Sequence, residues 1–433
     1  MDKLISLCKR RGFIFPGSEI YGGLANSWDY GPLGTQLKKN IKDEWWKIFV
    51  ERRSDMYGID PAIIMNPKVW EVSGHVAEFS DPLVECKSCH SRFRADQLAV
   101  EPLNSELSGS TACPTCKNKD FTEAKQFNLL FKTFLGPAED TKATVYLRGE
   151  LAQAMFVNYP QIVQTMRPEL PFGITAQGKV FRNEITPGNF IFRTREFDLM
   201  EFEYFVKPEE WEMGFEYWRG EMKKWLDHLG IDATHIHEVE IPDGERAHYS
   251  KRTIDFEYDY PFGQKELYGL AYRTDFDLKK HAEATKSDWG NLPHVIEPTF
   301  GVDRSLLVML LESYHEEDLP ADRHGVEGET RVVLKLPKWA SPVQVAVLPL
   351  SKKEELSSVA RKIATDLQKR FRVDYDETQS IGKRYRRQDE IGTPYCITVD
   401  FETLTDQAVT IRDRDTMKQK RVKIEEITDH LDK

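Results

Sequence analysis

Apolar residues recur at three- and four-residue steps between Gly31 and Arg53: Leu33, Leu37, Ile41, Trp45 and Ile48, with Pro32 near the start. That spacing predicts an amphipathic helix. A strand is predicted over "PAIIMNPKVW", residues 61–70. From Tyr146 to Tyr204 strand patterns alternate around one amphipathic helix, about Ala152–Pro160. "RTIDFEYDY" and "KELYGLAYR" read as two strands around the turn Pro261-Phe262-Gly263, and "RSLLVMLLESY" as the apolar helix after them. Gly, His and charge dominate Glu316–Glu329, which reads as a linker. Beyond it come a strand "PVQVAVLPL", a helix Lys352–Arg370, a strand "FRVDYD", a short basic helix "IGKRYRRQDEIG", a strand "PYCITVD", two further strands and a last helix. That order predicts a small α/β unit.

One hairpin departs from the usual pattern. "FRNEITPGNFIFRTREFDLMEFEYF" (Phe181–Phe205) alternates charges with aromatics where a structural hairpin would place Val and Ile. Taken as strands, it puts Arg182 and Glu184 on one face. Arg195, Phe197, Leu199, Glu201 and Glu203 share a face of the returning strand. Guanidinium, carboxylate and an aromatic plane suit a nucleotide; a buried ion-pair network is the other reading. Gly301 and Arg304 open the helix after "EPTF", where the helix terminus and a full positive charge both favour an anion.

At 433 residues, 40% hydrophobic and 30% charged, the chain is expected to be globular with two or three domains. Its longest solidly apolar run, Leu306–Leu311, is far short of a membrane span. "LISLC" followed by "KRR" is too short for a secretory signal, so the cytoplasm is the expected location. The net charge of −11 argues against a general polyanion binder. The charge is uneven, however. Residues 337–433 hold 19 Lys and Arg against 17 Asp and Glu, so a nucleic-acid contact is expected on that side.

Four of the six cysteines form Cys86-Lys-Ser-Cys89 and Cys113-Pro-Thr-Cys116, separated by 23 residues that are expected to project as a loop. Paired knuckles supply the four thiolates of a tetrahedral zinc site. Disulfides are not expected without a secretory signal. Cys8 and Cys396 read as buried small hydrophobes. His235 and His237 fall on one strand face and read as structural.

"FRNEITPGNF…FRTREF" resembles motif 2, and "GVDR" motif 3, of class II aminoacyl-tRNA synthetases. Together with "FPGSEIYGG", "WDYGPLG", "MNPKVWEVSGH", "FRAD", "QFNLLFKT", "RTDFDL", "EPTFG" and "SIGKRYRRQDEIGTPYCIT", the chain resembles the glycyl branch of that family, of the homodimeric type, from about Arg11 to about Lys420. The resemblance implies an α+β fold: an antiparallel sheet flanked by helices, a zinc-ribbon-like insertion and a C-terminal α/β anticodon-binding domain. The expected boundaries are 1–82 with 125–315 for the catalytic domain, 83–124 for the insertion, 316–336 for a linker and 337–433 for the anticodon side.

The resemblance also implies roles. Arg182 would contact the ATP α-phosphate, Glu184 the adenine amino group, Arg304 the γ-phosphate and Glu266 magnesium with ATP; these four are the expected catalytic groups. Phe197 would stack on adenine. Asn183, Phe192, Arg193, Thr194, Arg195, Glu196, Leu267, Gly301, Val302 and Asp303 complete the expected ATP side. Glu150 and Glu201 would receive the glycine ammonium and Arg273 its carboxylate, with Glu297 and Thr299 as floor and Arg94 as a further contact. Asp198, Leu199, Met200, Pro298 and Phe300, with Phe197 and Gly301, complete the expected glycine side. Lys383, Arg384, Arg386 and Arg387 would face the tRNA anticodon. Glycine, ATP and tRNA(Gly) are the expected substrates, Mg²⁺ and structural Zn²⁺ the cofactors, and a homodimer without membrane contact the expected assembly. No editing domain is expected, because excluding anything larger than glycine is sterically easy. The chain departs from the family's Arg-Pro-Glu-Thr-Ala-Gln-Gly with "RGELAQA", carries Thr299 where Ser is common, and is short between Asp277 and Glu297.

Overall fold

The computed structural model describes residues 1–98, 112–137, 139–318 and 330–432. Its centre is a seven-stranded sheet built from β1 (Met56–Ile59), β2 (Phe172–Phe181), β3 (Glu196–Val206), β4 (Ile236–Glu240), β5 (Arg252–Tyr260), β6 (Gly263–Thr274) and β7 (His294–Gly301), in the order β4-β5-β6-β7-β3-β2-β1. Every pairing is antiparallel except that of β1 with β2, which is parallel. Side chains alternate between the faces of a strand. Met200, Phe202 and Tyr204 of β3, with Ile296 and Phe300 of β7, therefore enter one core with three helices, α1 (Pro32–Trp46), α3 (Trp211–His228) and α5 (Val302–Ser313). Leu199 and Phe205 point the other way, into a core shared with α2 (Ala152–Met166). Phe172, Ile174, Ala176 and Val180 of β2 join that core; the polar part of the face runs along β3, β6 and β7, and α4 (Phe276–Thr285) stands beside it.

Several sequence expectations are corrected. "PAIIMNPKVW" is not a strand. Pro61 and Pro67 lack the N–H that a ladder needs, Ile64 makes a single bridge to Leu147, and a helix starts at Lys68; the strand is β1, just upstream. The helix expected to end near Pro160 runs through it to Met166. Burial of Phe156 and Tyr159 against β2 and β3 outweighs the roughly 3 kcal/mol that an interior proline costs. The charged hairpin is not strand where its arginines and Glu184 lie, whereas Phe197, Leu199, Glu201 and Glu203 stand on β3. β2 ends at Phe181 and β3 starts at Glu196. Asn189 and Phe190 take left-handed conformations (φ 56° and 60°) that break the ladder and gather Arg182, Glu184, Arg193 and Arg195 into the connection. Part of the expected linker is ordered: Tyr314–Asp318 pairs with Thr330–Leu334, and Arg331 is fully buried against Asp389. Residues 319–329 of that linker, and 99–111 of the loop expected between the cysteine knuckles, lie outside the described residues.

The C-terminal unit follows its sequence pattern closely. Val345–Pro349 (β8), Val373–Tyr375 (β9), Tyr395–Val399 (β10), Ala408–Asp413 (β11) and Gln419–Lys423 (β12) form a sheet in the order β9-β8-β10-β11-β12. Helix α6 (Glu354–Leu367) packs on β8 through Leu356, Ala360 and Ile363, and α7 (Ile381–Ile391) connects β9 to β10. The two units touch: Asn40 of α1 donates to the Ala340 carbonyl at 2.8 Å, and His228 stacks on Trp339 with ring centres 5.0 Å apart. Among the described residues no helix is long and apolar enough to cross a membrane.

Helix α1 is clamped to the sheet by buried charge. Asp303, in the first turn of α5, accepts from Lys38 at 2.9 Å, from Tyr30, and from the backbone N–H of Asp198 at 2.7 Å. Lys38 also pairs with Asp198 at 2.7 Å. Removing Asp303 orphans an inward N–H. Asp303→Ala is expected to destabilise the protein by about 1–3 kcal/mol, measured by urea unfolding.

Candidate functional site

The polar face of the sheet gathers five acidic groups around one guanidinium. Register places Glu201 of β3 opposite Thr299 of β7, and Ala271 of β6 opposite Glu297. Arg273, with no exposed surface, donates Nε and Nη2 to the two oxygens of Asp277 (2.9 and 3.0 Å) and Nη1 to Glu297 (2.7 Å). The Tyr249 ring lies 3.7 Å from its guanidinium carbon, a contact that favours the cation. Glu150 opens the turn before α2 and stands within 4.0 Å of Arg273. Burial opposes its charge, but His75, Arg273 and Gln153 overcome that and hold its carboxyl well below the usual range. Glu201 behaves oppositely. Burial and the nearby Glu150 charge raise its pKa, although the Thr299 hydroxyl (2.9 Å) and the Leu151 N–H (3.1 Å) both donate to it. Glu203 is deeper still. Both its oxygens are buried without a hydrogen-bond partner, and burial with the neighbouring Glu297 pushes its pKa well above the usual carboxylate range.

Next to this floor lies an open cleft of ≈ 630 Å³. Arg182, Arg193 and Arg304 bring three guanidiniums to it, with Phe197, Glu184 and Glu266. Arg182 spends Nε on the Gly149 carbonyl at 3.0 Å and lies 5.5 Å over the Phe197 ring. Arg304 rests over Phe192 at 4.6 Å and reaches Glu266 at 3.1 Å. Glu184 keeps one buried oxygen, Oε2, without a partner, an acceptor awaiting a donor. Asp255 is pushed up to about 7 by burial and by the Glu266 and Glu257 charges. Two such close carboxylates fit a divalent cation.

Comparison with known proteins fits this cleft. Residues 138–384 match the model of the tRNA synthetase class II core domain (G, H, P, S and T), and residues 344–433 that of the anticodon binding domain. The chain is 50% identical to the glycine–tRNA ligase of Caldanaerobacter subterraneus subsp. tengcongensis, over 100% of this chain and 98% of that protein. It is likewise 50% identical to those of Geobacillus thermodenitrificans and Clostridium perfringens, over 100% of this chain and 97% and 98% of theirs. The chain belongs to the glycine–tRNA ligase family of class II synthetases.

Not every residue expected from the family lines the site. Met200 and Phe300 sit on the opposite sheet face in the aromatic core beneath Trp45 and Phe49, and Val302 is in the same core. Pro298 pairs with Leu270 on that face too. Asp198 and Asp303 border the cleft but are spent on the α1 clamp. Arg195 and Glu196 border an adjoining apolar hollow with Trp28, Phe131 and Leu147; Thr194 lies between the two. Asn183 is tied by its N–H to the Leu129 carbonyl at 2.8 Å. Leu199, expected on the glycine side, lines the cleft with Leu267 and Gly301. Arg94 pairs with Asp81 (2.8 Å) and Asp96 (2.7 Å), and its charge is felt by Glu184 rather than by the carboxylate floor. The expected anticodon cluster is largely internal. Arg384 is buried with Nη1 on the Pro349 carbonyl at 2.6 Å, Arg387 pairs with Asp376 and Arg386 with Asp389, so Lys383 alone of the four is exposed. Periodicity shows where a basic run lies on a helix, not whether acidic partners meet it. His75, Gln153 and Tyr249 were missed. His75 ends the quoted "MNPKVWEVSGH" and Gln153 lies in "RGELAQA", so the resemblance was their one signal, while Tyr249 had none until the fold brought it to the site.

The family's departures are mild in place. Leu151 meets Glu201 through its backbone N–H, and Thr299 keeps its hydroxyl on Glu201. A side chain on Gly149 would meet Phe79 at 3.1 Å and Leu130 at 3.2 Å.

The cysteine knuckles converge. His90 N–H bonds the Cys86 carbonyl and Lys117 N–H the Cys113 carbonyl, both at 2.8 Å, with left-handed φ of 57° and 64° at His90 and Lys117. All four sulfurs lie within 4.8 Å of one another. The Cys86–Cys116 and Cys89–Cys113 pairs are 3.5 and 3.6 Å apart, near the roughly 3.8 Å edge of a tetrahedron with ~2.3 Å zinc–sulfur bonds. The Ser91 side chain and N–H lower Cys89 to about 6. Cys116 is pushed up to about 12: the Asn118 N–H favours its thiolate, but burial and the other three sulfurs prevail. A bound cation would relieve that conflict. Purified protein is expected to carry about one zinc per chain by metal analysis. Four thiols freely titratable without metal would contradict this.

Proposed function

We propose that the protein joins glycine to tRNA(Gly) through a glycyl-adenylate, with ATP as the energy source. The observation that carries this reading is the adjacency of two unlike sites, a cleft with three guanidiniums and a buried acidic floor. The first suits a polyphosphate, the second an ammonium with no room for a side chain.

In this reading glycine lies with its ammonium between Glu150 and Glu201 and its carboxylate directed toward the cleft. One carboxylate oxygen attacks the α-phosphorus in line, and pyrophosphate leaves. No protein nucleophile is needed; catalysis is positioning and charge stabilisation. Arg182 stands between the floor and the Phe197 ring and meets the charge growing on the α-phosphate. Arg304, paired with Glu266, meets the departing phosphates. Phe197 offers a plane for the base and Glu184 Oε2 an acceptor for its amino group. Magnesium, held at Glu266 and arriving with ATP, would supply further charge neutralisation. Arg273 spends three of its five N–H groups on Asp277 and Glu297. Its role is therefore to hold the floor in shape as well as to attract the glycine carboxylate. The tRNA terminal ribose hydroxyl then attacks the adenylate carbonyl and releases AMP. The C-terminal unit supports the tRNA reading through its match to the anticodon binding domain. The zinc knuckles, a homodimer and a cytoplasmic setting belong to the same reading.

Three tests follow from these roles. Arg182→Lys keeps the charge but loses the planar fork. It is expected to lower kcat of glycine-dependent pyrophosphate exchange about a hundredfold, with a small change in the glycine KM. Glu201→Gln is expected to raise the glycine KM first. Because Glu201's pKa is raised, its charge is lost earlier than an ordinary glutamate's as pH falls. The wild-type glycine KM should therefore climb on acidification, starting above the usual glutamate range. A silent Arg182→Lys with lowered thermal stability would favour a purely structural ion network. For assembly, Trp45 and Phe49 of the α1 segment are core residues, whereas Ile63 and Ile64 are exposed (38% and 44%). Light scattering is expected to give a dimer, and Ile63→Asp/Ile64→Asp a monomer.

A further inference from the structure

His75 lies outside every motif role assigned above, yet it is almost fully buried and touches the site. Its Nε2 is 3.2 Å from Glu150 Oε2, and its Nδ1 is 2.8 Å from the Ser73 hydroxyl. The ring is wedged between Trp70 and Phe79, both with centroids 5.2 Å away. Its backbone is pinned as well, since Asn128 Nδ2 donates to the His75 carbonyl at 2.9 Å and the Val76 carbonyl at 3.0 Å. The ring can therefore neither swing nor slide. An ionised Glu150 can only accept, so Nε2 carries the hydrogen that points at it, and Nδ1 meets the Ser73 hydroxyl.

The other oxygen of Glu150 is fixed independently. Gln153 Nε2 donates to Glu150 Oε1 at 3.1 Å and to Asp277 Oδ1 at 2.8 Å. The Gln153 carbonyl faces His281 Nε2 at 2.9 Å, which decides the orientation of the amide. Asp277 is the residue that grips Arg273 with both oxygens. Each oxygen of Glu150 therefore has a donor, and Gln153 joins Glu150 to the Asp277–Arg273 pair.

We propose that His75 is a positioning residue for glycine recognition. It holds Glu150 ionised and at a fixed angle, while Gln153 sets the distance between Glu150 and Arg273. This rests on the reading of Glu150 as a receiver of the substrate ammonium. The geometry gives a division of labour: the hydrogen bonds of His75 and Gln153 fall on the amino-acid half of the site, and His75 meets the nucleotide half only through Phe79, whose ring lies 5.3 Å from the Arg182 guanidinium. A glutamate released from both donors would rotate, or take up a proton in its buried setting, and the ammonium would lose a partner of defined direction.

The test is glycine-dependent pyrophosphate exchange on the full-length protein, with KM for glycine and for ATP measured separately. His75→Ala is expected to raise the glycine KM roughly 10- to 100-fold, the loss of one hydrogen bond to a charged group, and to leave the ATP KM within about twofold. His75→Gln, which can offer an N–H from a similar place, is expected to restore most of the loss. Glu150→Gln supplies the control. In a double-mutant cycle, His75→Ala should add little to Glu150→Gln, because it acts through that carboxylate. If Glu150→Gln leaves the glycine KM unchanged, the reading of Glu150 fails. If Glu150→Gln raises it while His75→Ala does not, or if the two losses are additive, the positioning role of His75 fails. Should His75→Ala prove unfolded, His75→Gln and Gln153→Met are read instead. An unchanged glycine KM for folded Gln153→Met would then overturn the proposal.

Discussion

A guanidinium with no exposed surface is the constraint around which the site is built. Water cannot solvate Arg273, so its charge must be answered by protein groups, and Asp277, Glu297 and the Tyr249 ring answer it. The balance is then overshot. Glu150, Glu201 and Glu203 crowd the same volume, and their surroundings push them apart: Glu150 toward the ionised form, Glu201 and, further, Glu203 away from it. A surplus of negative charge without room for a large counter-ion is a demand for a small cation. Under the function proposed above, the amino group of glycine meets that demand.

The sheet makes this possible by dividing its two faces. One is greasy from edge to edge and carries the helices. The other gives up hydrophobic burial along β3, β6 and β7 to hold charge. The cost is offset on the first face, where Trp45, Phe49, Phe202, Trp218 and Phe300 interlock with ring centres 4.5 to 5.9 Å apart. The α1 clamp through Lys38, Asp198 and Asp303 then fixes the strand ends that border the cleft.

Much of this was legible in the sequence. Alternation placed β5 and β6 nearly to the residue, and the C-terminal elements came out in the right order. The four cysteines spoke through spacing alone. What periodicity could not supply was partnership. Arg384 and Arg387 look like a free basic face until the buried contacts of one and Asp376 at the other appear. Asp303 looks like part of an anion site until Lys38 and Tyr30 claim it. "PAIIMNPKVW" is apolar enough for a strand, but its prolines cannot donate. His75 sits 75 residues before Glu150 in the chain, and only the fold makes them neighbours.

The bond from the Leu151 N–H to Glu201 has a meaning for how such a site drifts over generations. Because the donor is the chain itself, the side chain at 151 is released from the duty of making that bond and can be exchanged for any that fills the same pocket. Every residue but proline preserves it. Divergence can therefore accumulate beside the substrate, in the very segment where a reader of alignments would take a changed letter for a changed specificity.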